Sequence, residues 1–217
     1  MAVTRERFNQ GMTYEQFKAQ LTGNVGQFEE NEQATQLTEA DLAPWRALES
    51  PVDVVAIVIN QCPDVVMNLP ILSLIGQKTG KVNIRIFLRD DNKDLIADYM
   101  NGRFESVPVF AFFDKEWKPL GVFIERPKSV TEQREQKTRE IHERNPEFGP
   151  FGGAPTDLPE EVRGRLQATI REMRTATQED YHQASIQALK AMAEEFNRGI
   201  PEGKPIWRGN LLMAVPA

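Results

Sequence analysis

Residues 52–59, VDVVAIVI, are β-branched and almost wholly apolar. A half-exposed strand alternates polar and apolar residues, whereas this run suits a strand covered on both faces. It sets the framework for everything around it. Cys62, the only cysteine in the chain, follows it directly in NQCPDVVMNLPIL (60–72). Beyond Cys62, Val65, Val66, Leu69, Leu72 and Ile75 recur at helical spacing, and Gly76 and Gly80 end the pattern.

The alternation of Val82, Ile84, Ile86 and Leu88 in 81–89 predicts a second strand. DNKDLIADYM (91–100) opens with acids, which favour a helix N-terminus. VPVFAFF (107–113) and PLGVFIE (119–125) predict a hairpin about a turn at 114–118. SVTEQREQKTREIHER (129–144) reads as a charged helix with a thin apolar face. The order over 52–144 is therefore βαβαββα. A right-handed crossover and a closing hairpin then give a mixed sheet with helices on both faces.

Upstream, Thr13 and Thr38 head helical patterns at 13–21 and from 38, the second interrupted by Pro44. Gly23 and Gly26 break the first pattern, and a polar stretch runs to about Thr35. Downstream, 145–159 is a Gly/Pro-rich break before two helices. Val162, Leu166, Ile170 and Met173 stripe the first; Tyr181, Ala184, Ala188, Leu189, Met192 and Phe196 stripe the second. Such stripes dock on a core or on another copy of the chain, and a homodimer through these C-terminal helices is one expectation. The tail, with Trp207 and LLMAVPA, is apolar enough to dock on a surface. The pattern divides the chain into an N-terminal helical extension (1–37), an α/β domain (38–144), and a linker with a helical pair and tail (145–217).

Four features coincide on this order of elements. A buried strand leads to Cys62-Pro63-Asp64 at a helix start, and that helix carries Pro70. GRFESVPVFAFFD (102–114) carries a Val-Pro strand entry, and PLGVFIERP (119–127) a closing hairpin with its glycine. Together they resemble the thioredoxin superfamily, and within it bacterial thioredoxin-like proteins with a W-C-P-D-C active site. The resemblance implies a cis Pro108 against Cys62, with the backbone of Val107 free to pair with an extended peptide or a glutathione-like ligand. Gln61, Pro63 and Asp64 would complete the substrate-binding surface.

A thiol at a helix N-terminus faces unpaired N–H groups and the positive dipole end, which favours thiolate. Pro63 suits the first helical turn. Asp64 pulls the other way, because a neighbouring carboxylate opposes thiolate formation. The departures from the family pattern are equally specific. Val65 occupies the position of the second cysteine, Gln61 that of the tryptophan, and Ala56 that of a buried acid six residues before the first cysteine. Cys62 therefore lacks an internal partner to resolve a mixed disulfide. One reading is monothiol exchange with a protein disulfide, with glutathione as co-substrate. The alternative is a thioredoxin-fold binding or structural module without redox turnover. A peroxidatic cysteine is disfavoured because Ile59 stands where a Thr or Ser three residues upstream would be needed.

Charge bounds the partners. A formal net charge of −6 and no visible basic face argue against nucleic acid. No apolar run approaches the roughly 20 residues of a membrane-spanning helix. The N-terminus has no apolar signal core, so the expected location is cytoplasmic. His142 and His182 lie far apart and read as solvent-facing helix residues, not as metal ligands.

Overall fold

The computed structural model of the chain describes residues 3–23 and 25–212. Four helices come first: α1 (Arg5–Asn9), α2 (Tyr14–Ala19), α3 (Val25–Ala34) and α4 (Glu39–Arg46). Thr13 and Thr38 each close a capping box, with Gln16 and Asp41 reaching back to the cap backbone. Strand β1 (Val52–Val58) follows, then α5 (Pro63–Thr79), β2 (Val82–Leu88) and the short α6 (Lys93–Ala97). Strands β3 (Val109–Phe113) and β4 (Pro119–Ile124) form the hairpin. Helices α7 (Lys128–Arg144), α8 (Glu160–Ala176) and α9 (Gln178–Arg198) precede a last strand, β5 (Ile206–Gly209).

The strands form one mixed sheet in the order β2-β1-β3-β4-β5. β1 runs parallel to β2, with Val54 beside Ile84, and antiparallel to β3, with Ala56 beside Phe110. Every residue of β1 is buried, as the apolar run requires. Gly80, in the left-handed conformation at φ 64°, ends α5 and turns the chain into β2. The expected α/β sheet flanked by helices is therefore present.

Packing divides the chain into two units, 1–127 with 185–217, and 128–184. In the first unit, Trp45, Phe112 and Phe196 form an aromatic cluster, with Phe112 and Phe196 centroids 5.4 Å apart. Leu189, Met192, Ala193 and Phe196 of α9 are all buried in this core. That part of the stripe is spent on packing within the chain. In the second unit, Arg139 lies over Phe151 and Arg134 over Tyr181, at 4.4 and 4.7 Å from the ring centroids. His142 Nδ1 donates to the Gly149 carbonyl at 2.9 Å.

Several elements depart from the sequence pattern. The polar stretch after Gly23 contains α3, anchored by the buried Phe28 and by Asn31, whose amide donates to the Val66 carbonyl at 2.8 Å. The helix expected over 91–100 is only α6, preceded by a 3₁₀ turn at Arg89–Asp91. The tail contributes β5, parallel to β4, with Trp207 beside Val122. His182 is buried rather than solvent-facing. The end of the apolar tail, 213–217, lies outside the described residues.

Candidate functional site

Cys62 occupies the N-cap of α5 in extended backbone, where β1 ends and the helix begins. Pro63 takes the first helical position and is exposed, as is Gln61. The thiol is half-buried and donates to the Val107 carbonyl at 3.5 Å. The Val107–Pro108 peptide bond is cis, and both residues are buried. The fold thus brings Gln61, Cys62, Pro63 and Asp64 to the same end of the sheet as Val107 and Pro108. Val65, one turn into the helix, is fully buried among the core side chains.

Charge surrounds this turn. The Asp64 carboxylate is buried and forms an ion pair with Arg126 Nη1. Arg126 Nη1 also reaches Glu125 Oε1 at 3.3 Å. Glu125 sits at the end of β4 with φ 67°, in the left-handed region that side chains with a Cβ rarely adopt. Hydrogen bonds hold it there: its N–H donates to the Pro108 carbonyl at 2.7 Å, and its own carbonyl accepts from Asn68 Nδ2 at 3.1 Å. Glu125 Oε2 accepts from Asn210 Nδ2 at 2.6 Å.

The electrostatic outcome follows from these neighbours. Burial pushes the Cys62 thiol up from its ordinary value, and the Asp64 and Glu125 carboxylates push the same way. Backbone hydrogen bonds at Val65 and Asp64 pull it down but do not win. The helix N-terminus that would favour thiolate is therefore outweighed by desolvation and by two acids. Asp64 acts in the direction its position suggested, and Ala56, fully buried in β1, has no side-chain group that could accept a proton.

A family model described as thioredoxin matches residues 11–139, more than half of the chain. The chain belongs to the thioredoxin family. The family match begins near α2, well upstream of the strand that first suggests the fold, so α2, α3 and α4 lie within it and α1 does not. Two solved structures resemble the fold of this chain across almost their whole length. One is a protein of unknown function from Pseudomonas aeruginosa, 19% identical at a TM-score of 0.61, covering 89% of this chain and 98% of that one. The other is an HIV epitope scaffold, 18% identical at a TM-score of 0.58, with the same coverage. No curated protein matches the chain.

Within this thioredoxin-family site, sequence reasoning found the cysteine turn and the Val-Pro entry but missed Glu125, Arg126 and Asn210. A faint signal for the first two exists. Charged residues directly after an apolar strand stand at a strand's C-terminal end, where α/β sheets place their sites. Asn210 carries no such signal, because nothing in the tail's sequence reveals which strand it joins. Among the described residues, no helix is long and apolar enough to cross a membrane.

Proposed function

We propose that this thioredoxin-family protein is a binding module that has given up dithiol turnover, with Cys62 kept as a protonated thiol at neutral pH. The observation that carries the reading is the environment of Cys62: a half-buried thiol, raised by desolvation and two carboxylates, above a buried Val65 where a second sulfur would have to be. The W-C-P-D-C likeness then describes the ancestry of the turn and not its present chemistry. Gln61 and Pro63 remain exposed beside Cys62 and give the site a surface for a bound peptide.

Monothiol exchange is the second reading. It is favoured by the thiol's position at the N-cap of a seventeen-residue helix and by its partial exposure. In that cycle the Cys62 thiolate attacks one sulfur of a disulfide, the old S–S bond breaks, and the departing thiolate takes up the proton. Glutathione would then release the mixed disulfide by the same exchange.

Incubation with glutathione disulfide at pH 7, followed by intact mass measurement, separates the two. The binding module predicts adduct formation no faster than on a free cysteine, and no catalysis of glutathione-driven disulfide reduction. Rapid adduct formation that glutathione reverses would overturn it in favour of the monothiol.

A further inference from the structure

The last described residues run past the cysteine turn and are tied into it by a connected set of hydrogen bonds. β5 extends the sheet beside β4, and the Asn210 N–H continues the pairing by donating to the Ile124 carbonyl at 3.0 Å. Gly209, at φ 102°, is pressed so closely on β4 that a Cβ would sit 2.1 Å from the Ile124 carbonyl oxygen. Asn210 is buried and works in two directions. Its side-chain amide donates to Glu125 Oε2 at 2.6 Å, and its carbonyl accepts from the buried Asn101 Nδ2 at 2.6 Å. Asn101 Oδ1 in turn accepts from the Leu212 N–H at 2.7 Å.

This network ties the tail to the two chain segments that flank the thiol. Asn101 begins the loop that leads to Val107, whose carbonyl receives the Cys62 thiol. Glu125 is bonded through its N–H to Pro108. A carboxylate in a rare backbone conformation needs outside support to stay in one place. Asn210 supplies a direct bond to that carboxylate.

We propose that Asn210 is a positioning residue: the C-terminal strap uses it to hold the Glu125 carboxylate in the Asp64–Arg126–Glu125 cluster at the head of α5, and so sets how readily Cys62 reacts. The inference rests on the binding-module reading of the same site, and adds a device that sets how quiet the thiol is. The charged groups about Cys62 that bear on it are Asp64, Glu125 and, paired to both, Arg126. Displacing the strap would remove the bond to Glu125 Oε2, while Oε1 keeps Arg126.

The test is the pH profile of Cys62 alkylation by iodoacetamide, a neutral probe that needs no disulfide, so it is independent of the glutathione experiment. Glu125→Gln should raise the rate at pH 7 by about two- to threefold, a small shift because the carboxylate is already paired with Arg126. Asn210→Ala should move the profile in the same direction. The double variant should go no further than Glu125→Gln alone, because both act through one carboxylate. Asn210→Ser, a milder change, gives the same reading with a smaller shift if the alanine variant does not fold. An unmoved profile in Glu125→Gln, or in the Asn210 variants while Glu125→Gln moves, overturns the proposal. A profile that shifts additively in the double variant overturns it as well.

Discussion

Cys62 and Val65 stand three residues apart at the head of α5, and between them they decide what the turn can do. Val65 is buried in a well-packed core, so its replacement by cysteine removes volume but keeps an apolar site. The C-x-x-C spacing at a helix N-terminus is compatible with a disulfide. Val65→Cys is therefore expected to lose both free thiols on mild oxidation with diamide, where the natural chain keeps its one. Thiol counting with a chromogenic disulfide checks this, and two titratable thiols after oxidation would count against it. Asp64 makes a second case. It is paired with Arg126 in a site where both side chains are largely buried, and removing it takes away one charge-assisted bond while Arg126 keeps Glu125. Asp64→Ala is expected to cost about 2 kcal/mol of stability in urea unfolding. A loss below about 1 kcal/mol would mean that Arg126 relaxes into water.

Some elements were legible from the sequence, and the reasons are physical. β2 and α5 carry period-2 or helical patterns, and β1 and the β3–β4 hairpin carry nearly unbroken apolar runs, because each presents long faces to the core. α3 carries no such pattern: one aromatic, Phe28, and one buried amide, Asn31, hold it, and two anchors do not make a periodicity. β5 is equally silent, since a four-residue strand is defined by its partner's register and not by its own sequence. The cysteine turn was readable from local order alone. The acids and amides that tune it come from β4 and the tail, separated from Cys62 by long stretches of chain that only the fold brings together. The stripe on α9 was visible, but what it covers was not: Phe196 packs on Trp45 and Phe112. Phe196→Ala is accordingly expected to destabilise the chain by about 3–5 kcal/mol through the cavity left in that cluster. Chemical denaturation would show it, and a loss under 1 kcal/mol would contradict the packing role.

The chain as a whole couples its stability to pH through a residue far from the thiol in sequence. His182 is buried, and desolvation lowers its pKa below the ordinary histidine value, with Glu179 opposing weakly. The neutral imidazole is the form that folds, and the unfolded chain takes up the proton first as pH falls. This contribution to stability is fully present above about pH 6.5 and is lost as pH falls through the lower folded value. Thermal midpoints followed from pH 7.5 to 5 should decline, and the decline should shrink in His182→Gln; an equal decline in both would assign it to other groups. Around Cys62 the same physics runs with the opposite consequence, since burial and two carboxylates favour the protonated thiol. The account therefore stands most directly on the rate of Cys62 alkylation by iodoacetamide in the natural chain, followed from pH 6 to 10.5. It predicts an inflection above the free-cysteine value of about 8.5. An inflection below that value would make Cys62 an activated nucleophile and contradict the account.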